Sequence, residues 1–249
     1  MKKKSSKRFK KLLENIKDNK VISLDDAIKK VKSNCTTKFD ESIDVSFQIN
    51  KKNSKTDIGI RTVVNLPNGT GKKVKIAVLC EDAKSDEAKS SGADIYGSED
   101  LIEKISKGEM DFDKLVATAP MMVKISKLGK ILGPKGLMPN PKLGTVTNDI
   151  KSTVNSLKTG QVEIKSDKDG NIATSIGKKS FSDEKLKENF EVIAEAILKE
   201  KPNNFKGNFI LSSFITSSMG LSHKVKVKVI WNEQNWKTKL YKWNEELFW

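Results

Sequence analysis

Cysteine and histidine are scarce in this sequence: its 249 residues include two cysteines, Cys35 and Cys80, and one histidine, His223. A structural zinc site takes four such ligands, so three widely separated side chains exclude a zinc module of that kind. A disulfide between the two cysteines is the minor alternative, and two buried reduced thiols are the favoured interpretation. Reduced thiols are typical of a reducing, cytosol-like compartment.

Long hydrophobic runs are also missing. The longest covers residues 76–80, far short of the ~20 apolar residues that a membrane-spanning helix needs. Five of the first eight residues are basic, but no apolar stretch follows them, so the N-terminus does not resemble a secretory signal. Hydrophobic residues make up 36% of the chain, which is enough for small packed cores. The length predicts one or two domains.

Acidic residues are outnumbered. The sequence has 47 lysines and arginines against 32 aspartates and glutamates, a formal net charge of +15. The excess is greatest at the N-terminus, where the first twenty residues hold nine basic and two acidic side chains. A positive field of this kind attracts polyanions. Nucleic acid is the first candidate partner and an anionic membrane surface is the second; a lysine-rich composition without functional meaning is the alternative.

Catalytic motifs are absent. A phosphate-binding loop ending at Gly71-Lys72 would need glycine at position 66 and serine or threonine at 73, where the chain has Leu66 and Lys73. The apolar segment 74–80 is not followed by the glycine fingerprint of a dinucleotide-binding domain. His223 has no obvious carboxylate partner for a catalytic triad. We therefore predict no catalytic residue, cofactor or metal, with a nucleotide-binding enzyme as the alternative.

The hydrophobic periodicity changes twice along the chain. Apolar residues alternate with polar ones over 42–49, a pattern typical of a half-buried strand. Between about 68 and 160, strand and helix patterns take turns, which predicts a parallel sheet covered by helices. After 160 the pattern predicts an Asp-Gly hairpin around Gly170, a helix after Ser182 and further strands. We infer an α+β domain with an antiparallel sheet, split by an inserted α/β domain.

The domain boundaries follow from these changes. Residues 1–67 and 161–230 form domain one, residues 68–160 form domain two, and residues 231–249 form a C-terminal extension. The two junctions, near 67 and 160, are expected to lie side by side and to act as a hinge.

Glycine and proline are concentrated in residues 128–145. Three of the six prolines of the chain fall between positions 134 and 141, among four glycines. Proline restricts φ and glycine permits positive φ, so this pattern predicts a shaped loop rather than a mobile one. Lys130, Lys135 and Lys142 make the loop basic and suited to phosphate contact. A purely structural connection is the alternative.

This stretch closely resembles the signature of the ribosomal protein L1 family. Three further blocks match that family: residues 38–44 (Lys-Phe-Asp-Glu-Ser-Ile-Asp), Gly177-Lys178 with Ser180-Phe181, and residues 216–220 (Thr-Ser-Ser-Met-Gly). The resemblance covers nearly the whole chain to about residue 230. It implies the same split domain one and a Rossmann-like fold for the inserted domain two.

The resemblance implies that domain one binds RNA. The implied RNA-binding residues are Lys7, Arg8, Lys38, Phe39, Ser42, Asp44, Lys178, Ser212, Ser217, Ser218, Met219 and Gly220. Hydroxyl and carboxylate groups can bond the ribose 2′-OH, and lysines can hold phosphates. For one residue, Phe39, core packing is an equally good interpretation, because its position matches the apolar parity of Ile43 and Val45.

The resemblance also implies a function and partners. The protein would be a structural constituent of the large ribosomal subunit, binding large-subunit rRNA at the mobile stalk near the tRNA exit site. It would also repress translation of its own operon mRNA and contact the exiting tRNA. A free RNA-binding regulator that never joins a ribosome is a third alternative. The expected location is a cytoplasmic ribosome, with an organellar ribosome as the alternative.

The last 19 residues lie beyond the resemblance. All four tryptophans are there, and Trp236, Leu240, Trp243 and Leu247 fit one helical stripe. A tail that packs nearby or stays mobile is the favoured interpretation. A docking helix for a protein or a membrane interface is the alternative, and its partner cannot be predicted from the sequence.

Overall fold

The computed structural model describes residues 6–14, 21–51, 59–81, 84–202, 205 and 207–226. The tryptophan-rich extension predicted over 231–249 lies outside the described residues, and so do residues 227–230 at the end of the predicted domain one. None of the helices within the described ranges is both long and apolar enough to cross a membrane.

The described part of the chain contains eight α-helices and nine β-strands. The helices are α1 (Lys7–Glu14), α2 (Leu24–Asn34), α3 (Ser85–Ser90), α4 (Glu99–Ser106), α5 (Ala119–Ser126), α6 (Gly129–Leu132), α7 (Ile150–Thr159) and α8 (Asp183–Lys199). The strands are β1 (Ser42–Ile49), β2 (Arg61–Asn65), β3 (Ile76–Leu79), β4 (Ile95–Gly97), β5 (Lys114–Ala117), β6 (Gln161–Lys165), β7 (Asn171–Lys178), β8 (Ile210–Ser217) and β9 (His223–Val225).

Four strands from the two ends of the chain form an antiparallel sheet in the order β7-β1-β8-β9. The odd-numbered residues of β1 are buried on one face of this sheet, where α2 and α8 supply the other half of the core. The rings of Phe47 on β1 and Phe190 on α8 lie 5.5 Å apart between centroids. The alternation over 42–49 therefore predicts both the strand and its buried face.

Helix α8 begins and packs as its sequence predicts. The Ser182 hydroxyl accepts a hydrogen bond from the Lys185 backbone N–H at the helix start, and such caps stabilise helix N-termini. Leu186, Phe190, Ile193 and Ile197 are all buried. Their spacing places them on one face of the helix, which covers the apolar face of the antiparallel sheet.

The middle of the chain forms a three-stranded parallel sheet in the order β4-β3-β5. Every residue of β3 is buried, because helices cover both faces. Ala77 and Leu79 pack with residues of α4, α5 and α6, whereas Ile76 and Val78 pack with residues of α3 and α7. The predicted parallel sheet with covering helices is confirmed, and the fold as a whole is mixed α/β with antiparallel and parallel sheets.

The predicted hairpin around Gly170 is only partly correct. The turn forms, with the Gly170 N–H donating to the Asp167 carbonyl at 3.2 Å, and one bridge joins Ser166 to Ile172. Beyond that bridge the two strands separate, since β6 pairs with β2 whereas β7 pairs with β1. The Asp-Gly turn determines where the chain reverses, but longer-range pairing determines the sheet that each strand joins.

The two junctions of the chain do lie side by side. Asn65 at the end of β2 pairs with Gln161 at the start of β6, and the Leu66 N–H donates to the Gly160 carbonyl at 3.3 Å. The backbones at Gly69 and Gly160 come so close that a Cβ built on Gly160 would lie 2.4 Å from Gly69 Cα. The predicted proximity is confirmed, and the hinge stays a prediction.

The glycine- and proline-rich stretch has a defined shape. It contains α6 and a 3-10 turn at Pro141–Leu143, and its Leu137 and Met138 pack against the core beside α5. The Thr145 hydroxyl accepts the Asn140 N–H at 2.8 Å and closes the second half of the loop. Lys130, Lys135 and Lys142 are exposed on the surface of this loop.

Both cysteines are free and buried, which confirms the interpretation as reduced thiols. Cys35 lies just after α2, and its thiol donates to the Val31 carbonyl at 3.1 Å. Burial raises the pKa of the Cys35 thiol above its ordinary value, so the group stays protonated at neutral pH.

Candidate nucleic-acid interface

The turn at residues 217–220 lies directly against the start of β1. The Ser218 N–H donates to the Ser42 carbonyl at 3.0 Å, and the Ser42 N–H donates to the Ser218 hydroxyl at 3.2 Å. The Gly220 N–H closes the turn by donating to the Ser217 carbonyl at 3.1 Å. We call residues 36–42 together with 217–220 the Met219 corner. Its two segments come from opposite ends of the chain, and the sheet brings them together.

Two large apolar side chains of the Met219 corner face solvent. Phe39 is 55% exposed and Met219 is 51% exposed. The core-packing interpretation of Phe39 is therefore wrong, because β1 begins only at Ser42 and the alternation does not extend back to position 39. An exposed aromatic ring can stack on an unpaired base, and an exposed methionine side chain offers apolar contact area beside it.

Hydroxyl, carboxylate and amide groups continue from the Met219 corner along the open face of β1. Ser42, Asp44 and Ser46 are half-buried and Gln48 is exposed. Residues directly opposite one another in antiparallel strands share a face, so Lys178 on β7 lies beside Ser42. Ser212 lies at the far end of this face, where its hydroxyl donates to Gln48 Oε1 at 3.1 Å. Ser212 is six positions before Ser218 along extended chain, about 20 Å.

The basic residues at the N-terminus differ in their roles. Lys7 is exposed on α1 and is available to a phosphate. Arg8 contacts the Met219 corner instead: its guanidinium donates to the Met219 carbonyl at 2.6 Å and to the Thr36 hydroxyl at 3.1 Å. Lys38 is exposed within the corner itself.

Ser217 is buried, although the family resemblance implies that it lies on the RNA-binding surface. It is 3% exposed, because it is the last inward-facing residue of β8. Its hydroxyl has no partner in hydrogen-bond geometry among the described residues, and it lies directly beneath Gly220. Ser217 therefore supports the turn from behind, and its side chain is not placed for direct contact with RNA.

Glu41 is a functional candidate that the sequence analysis missed. It is fully buried, and its carboxylate accepts the Thr37 hydroxyl at 2.8 Å, the Thr37 N–H at 3.4 Å and the Met219 N–H at 3.2 Å. Burial raises the pKa of this carboxyl, but the nearby Ser217 hydroxyl and the Thr37 and Met219 donors together lower it by more, so the net pKa is below its ordinary value. Glu41 has the same odd-numbered spacing as the buried residues of β1. A carboxylate at a position where that alternation predicts burial is the signal that could have identified it.

The segment around Glu41 is also attached to the neighbouring strand. The Asp40 carboxylate accepts the Ser180 hydroxyl at 2.8 Å and the Ser180 N–H at 3.2 Å. The Glu41 carbonyl accepts the Lys179 N–H at 2.8 Å. The two family-like blocks at 38–44 and 177–181 therefore meet in space and fix one side of the Met219 corner.

In the part of the chain that the structure describes, no cluster of histidine, cysteine, aspartate and glutamate could hold a metal ion. His223 is buried with its Nε2 3.3 Å from Asn34 Nδ2, and burial together with Lys30 lowers the pKa of its imidazole. His223 is thus a neutral core residue in this structure.

Comparison with known proteins places the chain in a family. The chain is 60% identical over 223 residues to the large ribosomal subunit protein uL1 of Pelagibacter ubique (strain HTCC1062), covering 89% of this chain and 97% of that protein. It is 47% identical over 227 residues to the uL1 protein of Prochlorococcus marinus, covering 91% and 97%. These relatives indicate a structural, non-enzymatic protein. The profile of the Ribosomal protein L1p/L10e family matches residues 28–221, and the chain belongs to this family.

Proposed function

We propose that this protein is a structural component of the large ribosomal subunit and that it binds large-subunit rRNA through the Met219 corner and the open face of β1. The observation that carries the proposal is the position of the exposed Phe39 and Met219 beside the Ser218–Ser42 hydrogen bonds. Exposed rings and methionine can contact bases, while hydroxyls and Asp44 can bond ribose 2′-OH groups. Lys7, Lys38 and Lys178 add charge for the phosphates.

We also infer where on the ribosome the protein binds and which RNAs it contacts. The rRNA target would be the mobile stalk near the tRNA exit site. The same surface would bind a similar fold in the operon mRNA and so repress translation, and the protein would contact the leaving tRNA. Shape recognition of one RNA fold accounts for both RNA targets, because phosphate contacts position a protein without specifying a sequence.

The proposed domain organisation would allow movement of the stalk. We infer that residues 68–160 form an inserted Rossmann-like domain, that residues 1–67 and 161–230 form the RNA-binding domain, and that residues 231–249 are an extension. The narrow connection at Leu66 and Gly160, together with the two-stranded pair β2-β6, is consistent with a hinge between them.

Sedimentation through a sucrose gradient tests the ribosomal role. We expect the protein to migrate with the large subunit at low salt and to be released as free protein at high salt. The affinity for an rRNA fragment should fall steeply as salt rises, with a slope of about 0.7–0.9 in log K against log salt for each phosphate neutralised. Lys178→Ala should reduce the magnitude of that slope by about 0.7–0.9, the contribution of one phosphate contact. The control, Lys107→Ala, changes an exposed lysine after α4 and should leave the slope unchanged.

Two results would argue against the proposal. One is a complex whose affinity does not respond to salt. The other is a protein that remains at the top of the gradient under all conditions, which would favour a free regulator.

Met219→Ala is expected to weaken rRNA binding by roughly tenfold without unfolding the protein. The side chain is half-exposed, so its loss leaves no cavity in the core, but it removes apolar area from the RNA contact, and tenfold corresponds to about 1.4 kcal/mol. Filter binding with thermal unfolding of the same samples measures both quantities. Val123→Ala, which truncates a more exposed apolar residue on α5, is the matched control. Equal affinities for the two variants would contradict this role of Met219.

A further inference from the structure

Glu41 is an unusual residue for its location. Carboxylates are seldom fully buried unless they are paired, and Glu41 is fully buried while its hydrogen-bond donors are neutral groups of Thr37 and Met219. An apolar residue of the same size could not accept these hydrogen bonds, so the carboxylate has a role beyond filling space.

The carboxylate joins two segments that are 178 positions apart in the sequence. One oxygen accepts from Thr37, before β1, and the other accepts the N–H of Met219, after β8. On the opposite side, the carbonyl of Met219 accepts from the Arg8 guanidinium at 2.6 Å. The peptide groups on both sides of Met219 are therefore fixed by charged side chains, whereas the Met219 side chain itself faces solvent.

We propose that Glu41 is a positioning residue for RNA recognition, which holds the Met219 backbone so that the exposed side chain is already in its binding geometry before RNA arrives. Arg8 completes this arrangement from the other side. The inference rests on the proposed function of the Met219 corner. Fixing a loop in its bound conformation raises affinity, because less conformational freedom is lost on binding.

The negative charge of Glu41 allows an electrostatic effect on RNA binding to be distinguished from a positioning effect. Glu41 is negative and lies beneath a surface that would face phosphates. Removing that charge should strengthen RNA binding if long-range electrostatics were its only effect. A loss of affinity on neutralising Glu41 must therefore come from a lost hydrogen-bond arrangement and not from charge.

Glu41→Gln tests the proposal with minimal change in shape. We expect rRNA affinity to fall by about tenfold, with the slope of log K against log salt unchanged, since no phosphate contact is lost. Hydrogen exchange of the Ser218 and Met219 amides should become faster in the free protein. Glu163→Gln is the matched control: Glu163 pairs with Arg61 at 2.9 Å on the surface of β6, and its loss should change neither quantity.

The outcomes are separable. A folded Glu41→Gln variant that binds RNA as tightly as the wild type, or more tightly, overturns the positioning role. If the wild type does not bind rRNA, the proposed function fails. Unchanged amide exchange at Met219 in the variant would separately overturn the positioning role of Glu41.

Should Glu41→Gln fail to fold, Thr37→Val removes one donor and keeps the carboxylate. It should weaken binding severalfold, and unchanged binding would overturn the proposal.

Discussion

Gly220→Ala is expected to weaken rRNA binding by about 10- to 100-fold while leaving the protein folded. A Cβ at this position would lie 2.3 Å from the Ser217 hydroxyl oxygen, which is buried and has little room to move. Overpacking of this kind costs about 1–3 kcal/mol, and here it would be relieved by shifting the turn that carries Ser218 and Met219. Titration of a labelled rRNA fragment measures the affinity, and thermal unfolding of the same sample reports stability.

A double variant isolates the cause. Ser217→Ala removes the hydroxyl, and the next atom that the new Cβ would meet, Ser217 Cβ, is 3.5 Å away, an ordinary contact. Gly220→Ala combined with Ser217→Ala should therefore bind RNA within about threefold of Ser217→Ala alone. If the double variant stays as defective as Gly220→Ala, the steric explanation is wrong. Normal binding by the single variant would show that this turn does not contact the RNA.

Gly160→Ala should lower the free energy of unfolding by roughly 3 kcal/mol, combining backbone strain with overpacking. Gly160 has φ of +114°, a conformation that residues with a Cβ rarely adopt. Its Cβ would also lie 2.4 Å from Gly69 Cα, a backbone atom that no side-chain rotation can move away. Equilibrium unfolding in urea gives the change directly from the midpoint and slope.

A second glycine separates the two contributions. Gly144 has φ of +68°, and a Cβ there would meet no atom within 4 Å. Gly144→Ala should therefore show only the conformational cost, about 1 kcal/mol. If Gly160→Ala loses no more stability than Gly144→Ala, close approach of the two junctions does not contribute to stability.

Local patterns are sufficient for much of the fold. The alternation over 42–49 predicts β1 and its buried face, and Ser182 with the Leu186–Ile197 spacing predicts α8. The strand–helix succession after residue 68 predicts the parallel sheet. Each of these features depends on neighbours within one element, because burial of one face requires a matching period in the sequence.

The wrong predictions concern Phe39, Ser217 and the hairpin around Gly170. The alternation that favours a core position for Phe39 extends back from β1 to the buried Glu41 but not to position 39. The family resemblance of the block at 216–220 implies a surface position for Ser217, and the Asp-Gly turn at Gly170 predicts two strands that pair with each other. For Ser217 and for the strands on either side of Gly170, the environment is set by a segment that lies far away in the sequence. No period within one element contains that information.

The amino-acid sequence alone determined the family-like blocks, the positive charge and the periodicity of the main helices and strands. Only the tertiary structure decided which atoms of residues 36–42 and 217–220 are in contact at the Met219 corner, that Arg8 and Glu41 hold the Met219 backbone, and that Ser217 lies beneath Gly220. The physical reason is that hydrogen bonds and steric contacts depend on distances in space, and the antiparallel pairing of β1 with β8 joins residues about 170 positions apart.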